Sequence, residues 1–182
     1  MKRQGVLVFG SEFGGAERRF ARVASYLIKE GKPLVLLVTG DAAETLRSLS
    51  ISIPDESLCI FDKVSPRNLI IKKINRFAGL LKLRFFYLKK YQVGHVHVAC
   101  VPGLLTLLMS YSGVPYSLSI VNAIRNGDDK PSRVLSRLLE GIREWMLRRT
   151  LTFATAIDCL SESLGSLTVE DFDRLRISNP PP

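Results

Sequence analysis

The sequence predicts an α/β fold in which a doubly wound, mostly parallel sheet is flanked by helices, as in Rossmann-like domains. Two observations predict it. Short apolar segments alternate with stretches of helical periodicity along the chain, and each connection is long enough to hold a crossover helix. The segment Leu34–Val38 is apolar at every position, which is typical of a strand covered on both faces.

Local patterns place each element in order. Short apolar runs predict six strands, at residues 5–9, 33–39, 58–61, 94–100, 116–121 and 156–160. Helices are predicted between them at residues 17–29, 41–49, 65–91, 102–111 and 131–150. The first helix has apolar residues at helical spacing and is expected to end at Gly31. Asp41 is the expected cap of the second helix, and Pro66 suits the first position of the third.

The third helix is the most basic segment of the chain. It contains eight Lys or Arg residues and no acidic residue. Its apolar side chains are expected to form the face that packs on the core, and these are Ile70, Ile71, Ile74, Phe77, Leu81, Phe85 and Leu88. The opposite face is expected either to be simply solvated or to dock on anionic lipid, with Lys72, Lys73 and Arg76 as candidate contacts.

Composition limits the class of protein. With 182 residues, of which 46% are hydrophobic, the chain suits one globular domain, predicted over residues 1–178. The proline-rich residues 179–182 resemble the start of a linker. Neither a signal peptide nor an apolar run of about 18 residues is evident, so a cytoplasmic protein is expected. The net charge of +9 favours anionic partners, but no zinc finger or RNA-binding motif supports nucleic acid.

A glycine-rich turn follows the first strand and allows three interpretations. Gly10, Gly14 and Gly15 are spaced G-x-x-x-G-G, which misses the dinucleotide fingerprint because Glu12 occupies the second glycine position. The turn could be a tight connection without a ligand. It could also belong to an NAD(P)-binding oxidoreductase domain, since Asp41 follows the second strand. The third interpretation is an anion site built from backbone N–H groups at a helix N-terminus.

Several motifs together favour the third interpretation. They are Gly-Gly-Ala-Glu-Arg at 14–18, Gln-Val-Gly-His-Val-His at 92–97, Gly-Val-Pro-Tyr-Ser-Leu-Ser at 113–119, Ala-Ile-Asp-Cys-Leu-Ser-Glu at 156–162 and Ile-Ser-Asn-Pro at 177–180. In their order and spacing, they resemble the amino-terminal domain of family 4 glycosyltransferases of the GT-B fold. Two positions depart from that pattern: Gln92 replaces the usual acid, and Val121 replaces a common histidine.

The resemblance implies the acceptor-binding half of a retaining enzyme that transfers a sugar from a nucleotide-sugar donor to a glycan or lipid-linked acceptor, in cell-envelope polysaccharide synthesis. It implies a second Rossmann-like domain beyond this chain, so the chain alone is expected to be inactive. A non-catalytic sugar-phosphate binding module remains an alternative. The implied contacts are Gly14, Gly15 and Arg18 with the donor phosphates, His97 with the reacting groups, and Ser11, Asn122 and Ser161 on the acceptor side.

The only two histidines, His95 and His97, fall on one face of the fourth strand. A His-x-His pair could begin a metal site, yet no third ligand is recognisable, and the resembled enzymes do not use a metal. Two buried, hydrogen-bonded imidazoles are the simpler alternative. No metal and no cofactor is therefore expected beyond the donor substrate. His97 lies nearer the carboxyl end of the strand and is the better candidate to reach a ligand.

Overall fold

The computed structural model describes residues 2–8, 15–62, 69–99, 104–120 and 134–159. Contacts divide the chain into two compact units, residues 1–99 and 100–182. The described residues form six strands, and every pairing within each unit is parallel. Helices connect the strands. The predicted α/β class with parallel strands and crossover helices is thereby confirmed.

The first unit contains four strands in the spatial order β3-β2-β1-β4. The strands are β1 (Arg3–Val8), β2 (Leu34–Val38), β3 (Leu58–Ile60) and β4 (Val93–Ala99). The helices are α1 (Gly15–Lys29), α2 (Gly40–Ser48), α3 (Leu69–Lys82) and α4 (Leu88–Lys90), with a 3-10 turn at Asp55–Ser57 and a π-helical turn at Leu83–Tyr87 joining α3 to α4. The predicted helix start at Ser65 and Pro66 lies outside the described residues.

The second unit contains α5 (Leu104–Ser110), β5 (Tyr116–Ile120), α6 (Val134–Phe153) and β6 (Ala156–Cys159). The hydroxyl of Tyr116 donates a hydrogen bond to the carbonyl of Thr150 in α6, and the Thr155 N–H donates to the carbonyl of Tyr116 at 2.8 Å. Burial raises the pKa of Tyr116, which keeps this hydroxyl a protonated donor. Strand and helix are thus tied together at the start of β5.

The core of the first unit surrounds β2, whose five residues are all buried. On one face, Leu34, Leu36 and Val38 pack with Val8 of β1 and with small residues of α1 and α2. Val35 and Leu37 point to the opposite face, since side chains alternate along a strand, and they are buried as well. The apolar run therefore marks a strand covered on both sides, as predicted.

Helix ends follow local chemistry, with one correction. Gly31 has φ +74°, and the N–H groups of Gly31 and Lys32 donate to carbonyls in the last turn of α1, which confirms the predicted glycine stop. The expected cap of α2 was wrong. Thr39, rather than Asp41, precedes the helix, and its hydroxyl accepts a hydrogen bond from the Ala42 N–H at 3.2 Å. Asp41 instead lies in the first turn.

The orientation of the long basic helix also differs from expectation. The side chains expected to face the core are largely outside, since Ile71, Ile74, Phe77 and Phe85 are exposed. Leu88 is buried as expected, but Leu80 and Leu83, which were not expected on the inner face, are buried with it. In the π-helical turn, the Leu88 N–H donates to the Leu83 carbonyl, five residues back. An α-helix would rotate these two leucines about 140° apart, and the wider turn brings both to the buried side.

Candidate functional site

The carboxyl edge of β1 is where this topology favours a ligand. β1 has β2 on one side and β4 on the other, so the chain reverses its direction of travel across the sheet beside β1. Open α/β sheets bind ligands at such a switch point, outside the carboxyl ends of the strands. Six residues after the last residue of β1, Gly14 is followed by Gly15, the first residue of α1. The N-terminus of α1 thus lies at the edge where a ligand is expected.

Gly15 itself has no structural reason to be a glycine among the described residues. A Cβ built there meets none of their atoms within 4 Å, and its φ is not positive. Glu17 and Arg18 follow in the first turn, where Arg18 is exposed and Glu17 half-buried. One residue of each charge therefore lies beside the N-terminal N–H groups, where the positive end of the helix dipole acts.

The two histidines lie on the face of the sheet that α1 covers. His95 is the register partner of Gln4, and His97 that of Val6, which packs against the α1 side of the core. The His97 ring lies 5.3 Å from the Phe20 ring of α1, between centroids, at 40°. Burial lowers the pKa of His95, so this imidazole favours its neutral form. The His97 ring thus belongs to the packing of β4 against α1, and its catalytic role stays a prediction.

A charged cluster that the sequence analysis did not identify lies at the carboxyl ends of β2 and β3. Asp62 accepts a hydrogen bond from the Gly40 N–H at 2.6 Å. The Arg76 guanidinium of α3 lies 3.7 Å from the Asp41 carboxylate and 4.0 Å from that of Asp62. Gly79, one turn after Arg76, allows α3 to come this close to Asp62, because a Cβ at position 79 would lie 2.6 Å from the Cβ of Asp62.

This cluster changes the interpretation of Arg76, which was predicted to contact a membrane surface. Its side chain is only 23% exposed and lies against two carboxylates, which is the opposite of a free surface cation. The physical reason is that α3 turns this position toward the sheet edge. One signal in the sequence could have indicated the cluster: Asp62 directly follows an apolar strand, where polar residues gather at the ligand edge of a sheet.

A cleft of about 370 Å³ lies beside the cluster at the end of β3. Its lining includes a negative charge from Asp62, a positive charge from Lys82 and the polar side chains of Asn75 and Tyr87. Phe61 and Ala78 supply apolar wall, and such a combination of apolar walls with a few polar groups is typical of ligand pockets. The cleft belongs to the far edge of the sheet in the first unit, since β3 is the last strand in the order.

Several predicted site residues lie outside the described part of the chain: Ser11, Gly14, Asn122 and Ser161. Lys72 and Lys73 lie within α3, but their side chains are also outside the description. The structure therefore brings Gly15 and Arg18 together in one helix turn and places His97 on the face covered by that helix. It tests neither the acceptor-side residues nor the two lysines.

The one buried thiol of the first unit's described strands is not suited to nucleophilic chemistry. Cys59 of β3 is buried, and burial raises the pKa of its thiol to about 12, so it is a poor nucleophile.

Neither a metal site nor a membrane-spanning helix is present among the described residues. Within the described ranges, no three His, Cys, Asp or Glu side chains are grouped so as to hold a metal ion. None of the helices in those ranges has the length and apolar character to cross a bilayer. No protein-family model matches the sequence, and no curated protein is recognisably similar to it.

Proposed function

We propose that this chain is the amino-terminal, acceptor-side domain of a retaining GT-B glycosyltransferase. The complete enzyme would act in the cytoplasm and move a sugar from a nucleotide-sugar donor to a glycan or lipid-linked acceptor of the cell envelope. One observation carries the proposal: α1 begins with Gly15 at the carboxyl edge of β1, between β2 and β4. The motif resemblance assigns this turn to the donor diphosphate, and the topology is compatible with that assignment.

Electrostatics at the first turn of α1 supports an anionic ligand. The first N–H groups of a helix have no partner within the helix, and the helix dipole favours negative charge there. The exposed guanidinium of Arg18 adds a cation at the same end. A glycine at the first helical position leaves room for phosphate oxygens to approach the backbone. The negative charge of Glu17 opposes anion binding, so substitutions of Glu17 and Arg18 should change the affinity for an anion in opposite directions.

The remaining roles rest on the motif resemblance. Gly14 would donate a backbone N–H beside Gly15, and His97 would contact the transferred sugar or orient the acceptor hydroxyl. Ser11, Asn122 and Ser161 would line the acceptor side. Most donor contacts would come from a second Rossmann-like domain outside residues 1–182. The 182-residue chain alone should therefore show no turnover of substrate. The proposal needs no metal and no further cofactor.

The proposal is tested by titrating the chain with UDP-glucose and GDP-mannose while recording amide NMR spectra. We expect shifts at the amides of residues 15–18 and weak binding. Arg18→Gln should weaken the binding about two- to fivefold, and Glu17→Gln should strengthen it by a similar factor. Arg22→Gln is the matched control, because this exposed arginine lies one turn further along α1, beyond the reach of the helix end.

Activity gives the second readout. The full-length gene product should transfer sugar from a nucleotide-sugar, whereas the 182-residue chain should not. Robust transfer or hydrolysis by the 182-residue chain would contradict the two-domain proposal. Tight NAD(P) binding by the chain would favour an oxidoreductase domain instead. Tight binding of a sugar phosphate, with no activity in the full-length product, would favour a non-catalytic binding module.

A further inference from the structure

We propose that the outward side of α3 and the π-helical turn docks on an anionic phospholipid bilayer. The docking face is defined by five apolar side chains: Ile71, Ile74, Phe77, Phe85 and Phe86. Docking of this kind does not depend on glycosyl transfer and would hold for any activity of the first unit.

Exposure of the docking face is the first observation. Its five side chains are between 45% and 66% exposed. Single exposed apolar residues are common on proteins, but five within sixteen residues of one helical segment, three of them spaced every third residue along α3, mark a binding surface. The inward positions of the same helix are already filled by Leu80, Leu83 and Leu88. The packing of this unit therefore leaves the docking face in contact with water.

Charge selects the partner. Between residues 69 and 90, the chain has no acidic residue and seven basic ones: Lys72, Lys73, Arg76, Lys82, Arg84, Lys89 and Lys90. Arg76 is engaged with carboxylates, but Lys82, Lys89 and Lys90 are exposed. Protein–protein interfaces are depleted in lysine, whereas each Lys or Arg near an anionic lipid surface contributes about 1 kcal/mol. An anionic bilayer therefore fits this surface better than another protein does.

Cations lie over the aromatic rings of the docking face. The Arg84 guanidinium carbon is 4.6 Å from the centre of the Phe85 ring, and the Lys90 ammonium is 6.0 Å from that of Phe86. Apolar bodies with charged groups at their margin suit the boundary between acyl chains and headgroups, where long basic side chains reach out to phosphate. The geometry matches a helix that lies in the plane of the interface.

Co-sedimentation with vesicles tests the proposal on the intact 182-residue chain. Binding is expected to vesicles of phosphatidylcholine and phosphatidylserine at 3:1, and to be far weaker with phosphatidylcholine alone. The triple variant K82Q/K89Q/K90Q should lose about a hundredfold in affinity, at about fivefold per charge. Ile74→Ser and Phe85→Ser should each lose about tenfold, because each removes apolar area from the bilayer.

Matched controls lie elsewhere on the first unit. Tyr26→Ser removes a side chain of α1 that is 62% exposed, and K29Q/K32Q/R47Q removes three exposed cations away from the docking face. Tyr26→Ser should leave vesicle affinity unchanged. The control triple variant should lose far less than K82Q/K89Q/K90Q, although both change the net charge equally. Equal losses in the two triple variants would overturn the proposal.

A fluorescence readout keeps the proposal testable if a serine variant fails to fold. Trp145 is the single tryptophan, so Phe85→Trp in a Trp145→Phe background reports on the docking face alone. Its emission should shift to the blue with anionic vesicles, and that of Tyr26→Trp in the same background should not. No shift at position 85 would overturn docking. A dimer in solution that Phe85→Ser dissolves, without vesicle binding, would overturn it too and assign the face to a second copy.

Discussion

The carboxylate of Asp62 accepts a hydrogen bond from the N–H of Gly40, the first residue of α2, at 2.6 Å. An anion supplied by the end of β3 thus occupies the positive end of a helix that begins after β2. The Asp62 side chain is only 5% exposed, so solvent screens the interaction little. Since Arg76 also lies within 4.0 Å of Asp62, this carboxylate joins β3, α2 and α3.

Neutralising Asp62 should therefore destabilise the first unit. Asp62→Asn is expected to lower the free energy of unfolding by about 1–2 kcal/mol, since it removes a charge-assisted hydrogen bond and a helix-end anion. Urea unfolding followed by circular dichroism measures the change. Asp55→Asn is the control, because Asp55 is exposed in the 3-10 turn and should change stability by less than about 0.5 kcal/mol. Similar effects of the two variants would contradict this role for Asp62.

Gly79 should not tolerate a side chain. In Gly79→Ala, the new Cβ would lie 2.6 Å from the Cβ of Asp62 and 2.8 Å from the Phe61 carbonyl oxygen, so α3 must shift. The expected loss is about 1–3 kcal/mol in thermal or urea unfolding. Gly141→Ala in α6 is the matched helix substitution: nothing among the described residues lies within 4 Å, and it should stabilise by about 0.5–1 kcal/mol. If Gly79→Ala also stabilised the chain, the close packing of α3 on β3 would be refuted.

Stability should fall as the pH drops through the histidine range. Burial lowers the pKa of His95 below its ordinary value of 6.5, so between the two values the unfolded chain binds a proton that the folded chain does not. The free energy of unfolding should therefore decrease from pH 7.5 to pH 5.5. The part due to His95 is the difference in this pH dependence between the unmodified chain and His95→Gln. An identical pH dependence in both would show that His95 does not contribute.

Cys59 should be protected from thiol reagents in the folded chain. Its thiol is buried with a pKa of about 12, and the thiolate is the reactive form. In a Cys100→Ser background, the half-buried Cys159 is expected to react with Ellman's reagent at pH 8 well before Cys59. Addition of urea should release the second thiol. The variant Cys59→Ser identifies it, and fast reaction of both thiols without urea would contradict the buried position.

Sequence reasoning predicted the elements whose signals are local. The apolar run of β2 and the stop at Gly31 were confirmed because burial on two faces and a left-handed glycine each leave a direct mark in the sequence. The third helix shows the limit. Periodicity tells which side chains share a face, but it does not tell which face turns inward. Here the close packing of Gly79 on β3 and the π-helical turn determine which face is buried, and neither feature can be read from a hydropathy pattern.

The candidate site was predictable only at its topological level. A glycine turn after the first apolar strand indicates a helix N-terminus at the ligand edge, and the structure begins α1 at Gly15. The cluster of Asp41, Asp62 and Arg76 was not predicted as a cluster. Its members come from three separate elements, and only the parallel pairing of β2 with β3, together with the packing of α3, brings them together.

The burial of all five residues of β2 has a consequence for the motions of the first unit. The Leu34 N–H donates to the carbonyl of Lys32, but the amide protons of residues 35–38 lie between two neighbouring strands and are covered on both faces, so no small local opening exposes them to water. Hydrogen exchange at β2 should therefore proceed only when the whole unit unfolds. The exchange rate of this strand would then report global unfolding of the unit. Any amide of the unit that exchanges faster than β2 would report a smaller, local opening.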